Sequence, residues 1–319
     1  MLAIGGIGGS GTRAIAKLAA QAGADMGADL NESLDHLGFT ALFKRHALFP
    51  TERNQDSLRE ALTLYLQSRG LDVFEADITL IPTLTPRPAT TRTRTTRLNH
   101  FLSQLPESSP AEANCEWQNT EWLAERVSKL ADVTSSPQLT GWKEPNTHIV
   151  LPYLLQALPN LHYVHVIRHG LDMAFSSNVA QVRLWGELLS GHSLDAEKPA
   201  NRFAYWCAVH QRLATVATQF PGRVSVCPID QGRETVRERL RPVLSALGLS
   251  AHNTCDSACD NASDTAFDSA SDSAFDSAFN SAFDIDPPST TGRYVREAPF
   301  ALAHEQVALL EAYGYQTRW

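Results

Sequence analysis

The alternation of hydrophobic and polar positions predicts strands that alternate with helices along most of the chain. Residues 161–167, Leu-His-Tyr-Val-His-Val-Ile, give the clearest strand, because β-branched and aromatic residues follow a proline and precede a polar segment. Further strands are predicted at residues 2–4, 71–81, 139–142 and 223–227. Helices are predicted at residues 12–21, 57–70, 120–131, 171–180, 202–218, 234–247 and 304–313.

This order of elements is typical of an α/β fold. Strands that are joined by helices form a parallel sheet with helices on both faces. Binding sites in such sheets lie at the carboxyl ends of the strands, so we expect the functional residues in the loops that follow the predicted strands. Residues 83–97, which are rich in Thr, Arg and Pro, are predicted to form a loop.

Composition narrows the class of protein. With 319 residues, 43% of them hydrophobic and 19% charged, the chain can form one large core or two small ones. No apolar run approaches the ~20 residues of a membrane helix, and no basic leader precedes the first glycines, so we expect no integral membrane segment and a cytoplasmic location. The five cysteines form no CxxC pair, which favours reduced thiols over a disulfide framework or a zinc site.

The formal net charge of −8 argues against a nucleic-acid partner, but it is unevenly distributed. Residues 255–284 repeat a four-residue unit such as Phe-Asp-Ser-Ala and contain seven aspartates, without which the formal charge would be about −1. This composition favours solvated chain over packed core, so we expect a flexible low-complexity insertion within one domain that spans residues 1–319. A loose helix with an aromatic edge is the alternative.

A glycine-rich turn at residues 5–11 follows the first strand and opens the first helix. Glycines allow close backbone approach to a ligand, and the N–H groups at a helix N-terminus favour a phosphate or sulfate group. Gly6, Gly8 and Gly11 match the fingerprint of NAD(P)-dependent oxidoreductases, but the segment after the first helix lacks the strand which that fingerprint requires. The nucleoside-triphosphatase loop requires a lysine where this chain has Thr12. A turn that binds no ligand is a further alternative.

Three further segments give this turn a context. A Ser-Gly-Thr core occupies residues 10–12, a Lys-Glu-Pro tripeptide occupies residues 143–145, and Arg168 ends the strongest predicted strand, eight residues before Ser176. In their order and intervals, these segments resemble the sulfotransferases that use 3′-phosphoadenosine-5′-phosphosulfate (PAPS). The resemblance runs from the first residues to the last and omits only the aspartate-rich repeat.

The resemblance implies a parallel sheet flanked by helices, in the P-loop-containing nucleotide hydrolase-like (sulfotransferase) fold. It also implies transfer of a sulfuryl group from PAPS to a hydroxyl or amine of a small molecule, glycan or peptide, without a metal. Residues 83–105 and 181–200 would form variable loops around the acceptor. The nucleotide would be bound by Gly8, Gly9, Ser10, Gly11, Thr12, Arg13, Arg168, Ser176 and Arg293.

The same resemblance assigns the catalytic residues. Lys143 would lie near the sulfuryl bridge and stabilise the charge that builds on the leaving oxygen. The acceptor hydroxyl needs a general base, which relatives carry a short distance beyond the turn. The candidates in that region are Asp29, Glu32, Asp35, His36 and His46. Glu32 is preferred by its spacing, and Asp35 is second.

One position departs from the family pattern. Most members have lysine or arginine immediately before the Ser-Gly-Thr core, and this chain has Gly9. Three alternatives stay open at this point. Arg13 compensates for the missing cation, Lys143 acts as the cation alone, or the chain binds the nucleotide without turnover.

Overall fold

The predicted parallel sheet is present. The structure, a computed structural model, describes residues 1–71, 90–132, 141–249 and 290–317. The strands of this described part are β1 (Leu2–Gly6), β2 (Gly141–Lys143), β3 (His162–Ile167) and β4 (Val224–Pro228). They form one parallel sheet in the order β2–β1–β3–β4.

Helices precede, connect and follow these strands. They are α1 (Thr12–Gln21), α2 (Leu37–Phe43), α3 (Gln55–Ser68), α4 (Thr91–Gln104), α5 (Thr120–Ala131), α6 (Thr147–Ala157), α7 (Gly170–Ala174), α8 (Ala180–Ser190), α9 (Pro199–Gln219), α10 (Arg233–Ala246) and α11 (His304–Ala312). No helix in the described ranges is both long enough and apolar enough to cross a membrane.

Side chains alternate across the sheet and fill a core on each face. Leu2 and Ile4 of β1 pack with α1 and α10 in the smaller core. Ala3 of β1 and Tyr163 of β3 belong to the larger core, which includes side chains of α6 and α9. The period of two along a strand therefore places helices on both faces, as the sequence predicts.

The loop predicted at residues 83–97 is wrong in its second half. Its first part lies outside the described residues, and helix α4 begins at Thr91. The hydroxyl oxygen of Thr90 accepts a hydrogen bond from the N–H three residues further on, at 3.2 Å, and so caps this helix. Arg97 pairs with Glu60 of α3, with N–O distances of 2.7 and 2.8 Å. The second half of this Thr- and Arg-rich segment therefore forms the start of a capped, partly exposed helix.

The single helix predicted at residues 171–180 is two helices. Helix α7 ends at Ala174, and α8 begins at Ala180. Between them the hydroxyl oxygen of Ser176 accepts a hydrogen bond from the N–H of Asn178 at 3.2 Å. Such a local bond offers the backbone an alternative to the helix, so the chain turns here. The predicted acceptor loop at residues 181–200 is accordingly helical through residue 190.

Helices α2 and α6 were also not predicted. Every residue of α2 after the first is buried, and most of α6 is buried too, so neither helix has the polar face that produces a 3.6-residue pattern. Pro152 inside α6 also argued against a helix there. Helix α3 begins two residues before the predicted Ser57. The strand predicted at residues 71–81, apart from residue 71, and the insertion at residues 255–284 lie outside the described residues.

We expect Gly170→Ala to lower the free energy of unfolding by roughly 1–3 kcal/mol, the usual cost of overpacking. A Cβ atom at Gly170 would lie 2.7 Å from Phe203 Cε2 and 2.8 Å from Trp206 Cδ2. Both rings belong to α9 and are fully buried. Urea unfolding measures the effect, and Ser245→Ala, on the exposed surface of α10, is the control. An unchanged midpoint for Gly170→Ala would contradict this packing.

Candidate active site

Three strand ends meet at one edge of the sheet. Ile4 of β1 is paired with Lys143 of β2, and Gly6 of β1 is paired with Val166 of β3. Because the strands are parallel, the glycine turn, the Lys-Glu-Pro tripeptide and Arg168 all follow at the same edge. The topology thus brings together three of the segments that the sequence analysis selected.

The glycine turn presents an uncapped helix N-terminus. Gly9 and Gly11 have φ values of 90° and 93°, a left-handed conformation that favours glycine. Gly11 is the N-cap of α1, and no side chain in the described ranges caps this helix. The Ser10 hydroxyl is buried and has no partner among the described residues. Free N–H groups, the positive end of the helix dipole and an unpaired hydroxyl together suit an anion. Arg13 is exposed on α1.

Arg168 is buried at the end of β3, and its guanidinium is only partly paired. One of its nitrogens, Nη2, donates to Thr290 Oγ1 at 2.8 Å and lies 3.7 Å from a carboxylate oxygen of Asp172. The Nε atom has no partner in the described part of the chain. Asp172 is fully buried and accepts hydrogen bonds from the N–H groups of Gly292 and Tyr294 at 2.8 and 3.3 Å. This carboxylate therefore ties the C-terminal segment to the Arg168 motif.

Arg293 lies beside Arg168 on that C-terminal segment. Burial and the neighbouring positive charge of Arg168 lower the pKa of Arg293. Its Nη1 donates to the carbonyl oxygen of Phe175 at 3.2 Å, whereas its Nε is buried and has no partner among the residues described. Two guanidinium groups thus share a region in which Asp172 is fully buried, while Glu297, which also raises the pKa of Arg293, is exposed.

The glycine turn and the Arg168 motif are in contact. A Cβ atom built on Gly9 would lie 3.7 Å from Ser176 Oγ and 3.9 Å from Asn178 Cβ. Phe175, whose carbonyl oxygen binds Arg293, directly precedes Ser176. A continuous set of contacts therefore joins the helix N-terminus at Ser10 to both arginines.

Lys143 is buried next to a carboxylate. Its side chain is 2% exposed, and its Nζ donates to the carbonyl oxygen of Ser33 at 2.9 Å and forms an ion pair with Asp35. Glu32 is exposed on the same loop. Asp29 lies elsewhere, paired with Arg126 and Lys129. Of the three candidate carboxylates, the structure brings only Asp35 into contact with Lys143.

Glu144 is a buried acid in the same segment. Its carboxylate accepts hydrogen bonds from the backbone N and the side-chain Nδ2 of Asn146 at 2.5 and 2.7 Å. Burial raises the pKa of Glu144 to about 7, and Lys44 opposes the rise. Asn146 in turn accepts a hydrogen bond from Trp185 of α8 at 2.8 Å. Asn146 therefore links the tripeptide to α8.

The candidate histidines are held by structural hydrogen bonds. His36 Nδ1 accepts from the N–H of Phe39 at 3.2 Å and caps α2, and burial lowers the pKa of His36 to about 3. His46 bonds to the carbonyl oxygen of Leu184 and to Ser109 Oγ through its two ring nitrogens. Both rings thus have structural partners, and neither contacts Lys143.

Two aspartates at the site were missed by the sequence analysis. Asp172 lies four residues after Arg168, a spacing that places both side chains on one side of a helical turn and could have indicated the contact. Asp230 accepts hydrogen bonds from the N–H of His169 at 2.7 Å and from the hydroxyl of Tyr315 at 2.8 Å. It is brought to the site by β4, and no local sequence pattern signals it. In the described ranges, no three His, Cys, Asp or Glu side chains gather in a way that could hold a metal ion.

Comparison with known proteins identifies the family. Residues 4–252 match the Sulfotransferase family, so the chain belongs to that family. Similar solved structures include the sulfotransferase domain of the olefin synthase of Synechococcus PCC 7002, with 12% identity, a TM-score of 0.44 and coverage of 99% of this chain and 94% of that one. Sulfotransferase STF9 from Mycobacterium avium is 15% identical, with a TM-score of 0.33 and coverage of 89% and 77%. No curated protein matches the chain in sequence.

Membership of the family and the parallel sheet flanked by helices together confirm the predicted sulfotransferase fold. The fingerprint of NAD(P)-dependent oxidoreductases requires a second strand after α1, and the chain has none at that place. Residues 22–36 form a loop with a single isolated bridge, and α2 follows. The sequence resemblance and the architecture therefore indicate the same class of protein.

We expect Glu144→Gln to gain stability relative to wild type as the pH rises. The unfolded carboxyl ionises near 4.5 and the folded one near 7, so between these values the folded chain binds more protons. Stability of the wild type therefore falls across this window, and the variant lacks this loss. The difference in unfolding free energy should change by on the order of 3 kcal/mol between pH 4 and pH 8.

Urea unfolding over that pH range measures this change. Glu187→Gln, an exposed carboxyl on α8, is the control for loss of one acid. If the difference in unfolding free energy between Glu144→Gln and wild type stays constant with pH, Glu144 has the same pKa in the folded and unfolded states, which would contradict the prediction.

Proposed function

We propose that this chain transfers a sulfuryl group from PAPS to a hydroxyl or amine of an acceptor. The observation that carries the proposal is a set of three buried polar atoms without partners among the described residues: Ser10 Oγ, Arg168 Nε and Arg293 Nε. They belong to one continuous set of contacts at the carboxyl edge of the sheet. Unpaired buried donors are costly, and an anion that bonds to them removes that cost.

The donors fall into two groups, one at the glycine turn and one at the two arginines, and we assign one anionic group of the nucleotide to each. The N–H groups that open α1, with Ser10, would bind the 5′-phosphosulfate. Arg168, Ser176 and Arg293 would bind the 3′-phosphate, because a guanidinium can grip phosphate oxygens through two parallel hydrogen bonds. The remaining turn residues of the predicted set are Gly8, Gly9, Gly11, Thr12 and Arg13.

Lys143 and a neighbouring carboxylate would perform the chemistry. The acceptor oxygen or nitrogen forms a bond to sulfur while the bond from sulfur to the bridging phosphate oxygen breaks. The acceptor proton passes to the carboxylate, and adenosine 3′,5′-bisphosphate leaves. Lys143 would stabilise the negative charge that develops on the leaving oxygen, and its burial strengthens that interaction.

The general base is Asp35 in this proposal. Asp35 contacts Lys143. The loop that contains Asp35 would therefore place the general base next to Lys143, the cation that stabilises the leaving oxygen. Glu32, the choice by spacing, lies on the same loop and is exposed. Glu32 stays the alternative base, and substitution of each carboxylate separates the two.

A nucleotide-binding protein without turnover is the second candidate. Two observations favour it. Gly9 offers no cationic side chain, and Lys143 Nζ already has both Ser33 O and Asp35 as partners. If the chain does turn over, the acceptor would be a small molecule, glycan or peptide that reaches the Lys143 side of the sheet edge.

Binding of adenosine 3′,5′-bisphosphate tests the site. We expect the wild-type chain to bind this nucleotide and Arg168→Ala to bind it about tenfold more weakly or worse, because a charge-assisted phosphate contact is lost. Isothermal titration calorimetry measures both dissociation constants. Arg92→Ala, which removes the same charge from the exposed surface of α4, is the matched control and should bind like wild type. Equal affinities for all three proteins would contradict the assigned site.

Turnover with labelled PAPS and a panel of hydroxyl and amine acceptors tests the catalytic roles. Lys143→Ala and Asp35→Asn should each lower kcat by about 100-fold or more while nucleotide affinity stays within about threefold. Glu32→Gln is the matched control and should keep most of the activity. A large loss in Glu32→Gln with an active Asp35→Asn would make Glu32 the base. Binding without turnover by the wild-type chain would support the second candidate.

A further inference from the structure

We infer that Asn178 is a further nucleotide-binding residue, whose side-chain carboxamide contacts the 5′-phosphate group held at the glycine turn. This inference rests on the proposed function and deepens it. Asn178 lies outside every motif from which the site was predicted, and the sequence placed it inside a helix.

The carboxamide of Asn178 lies against the glycine turn. A Cβ atom built on Gly8 would be 2.9 Å from Nδ2 of Asn178 and 3.4 Å from its Cγ and Oδ1. A side chain at Gly8 would therefore collide with this carboxamide, and the missing side chain lets the two groups approach. Asn178 is exposed, so its polar atoms are accessible to a ligand at the turn.

The backbone around Asn178 is fixed in this position. Its own N–H donates to Ser176 Oγ at 3.2 Å, and the Ser176 hydroxyl keeps its proton for a ligand. Gln181, one turn further on, donates through Nε2 to the carbonyl oxygen of Gly6 at 3.2 Å. The first bond fixes the backbone that precedes α8, and the second holds the start of α8 against the start of the glycine turn.

The electrostatic setting favours an anion at this point. Helix α8 has Val179 as its N-cap, and no side chain of the described residues caps it. The uncapped N-termini of α1 and α8 therefore both lie at the turn, and each adds positive potential. The atoms nearest to a Cβ on Gly9 belong to Ser176, Met173 and Asn178, none of which is charged. A neutral carboxamide donor is thus the polar side-chain group that covers Gly8.

Nucleotide affinities of the full-length chain test the inference. We expect Asn178→Asp to bind adenosine 3′,5′-bisphosphate about tenfold more weakly than wild type, because the substitution replaces a donor by a negative charge of the same shape. Adenosine 5′-monophosphate should show the same loss, and adenosine 3′-monophosphate should bind as it does to wild type. Ser177→Asp adds the same charge at the adjacent exposed residue and is the matched control.

The outcomes are distinct. A loss confined to nucleotides with a 5′-phosphate, and larger in Asn178→Asp than in Ser177→Asp, supports the assignment. Equal losses in both variants, or a loss with the 3′-monophosphate alone, overturn it. If Asn178→Asp does not fold, Asn178→Ala takes its place, and it should bind the bisphosphate about threefold more weakly. A wild-type chain that binds no adenosine nucleotide overturns the proposed function as well, which separates the two failures.

Discussion

The electrostatic constraint on which this site depends is a pair of neighbouring arginines, the buried Arg168 and the half-buried Arg293, beside a helix N-terminus that no side chain of the described residues caps. Burial and the positive charge of Arg168 lower the pKa of Arg293, and the two like charges repel one another. Asp172 compensates in part, because it lies 3.7 Å from Arg168 and accepts two N–H groups of the segment that carries Arg293. Asp172 is the fully buried carboxylate beside these guanidinium groups, and Glu297, which also raises the pKa of Arg293, is exposed. In our proposal, an anionic nucleotide adds negative charge next to the two arginines and the helix N-terminus.

The parallel register of three strands turns separate short motifs into one site. Lys143, the glycine turn and Arg168 are far apart along the chain, yet β1 pairs with both β2 and β3, and all three segments follow at the same edge. Each strand end contributes a different group: an ammonium beside a carboxylate, a ring of N–H donors, and a guanidinium. A fourth contribution comes from the C-terminal segment, which Asp172 holds in place. The site therefore depends on the sheet as a whole.

How far the sequence predicts this arrangement differs from element to element. The glycine turn and β3 could be predicted because their signals are local: glycines at left-handed positions, and a run of β-branched residues. Helices α2 and α6 could not, since buried helices lack a polar face. Asp35 was ranked below Glu32 because spacing alone does not tell which side chain a loop turns toward Lys143. Asn178 was hidden by the prediction of a continuous helix, which the Ser176 hydroxyl interrupts.

A crystal structure of the chain with adenosine 3′,5′-bisphosphate tests the central claim most directly. The account predicts one nucleotide that spans both motifs, with its 5′-phosphate about 3 Å from the N–H groups that open α1 and its 3′-phosphate at the same distance from Arg168 Nε. A nucleotide that engages only one of these motifs, or that lies on another face of the sheet, would contradict it.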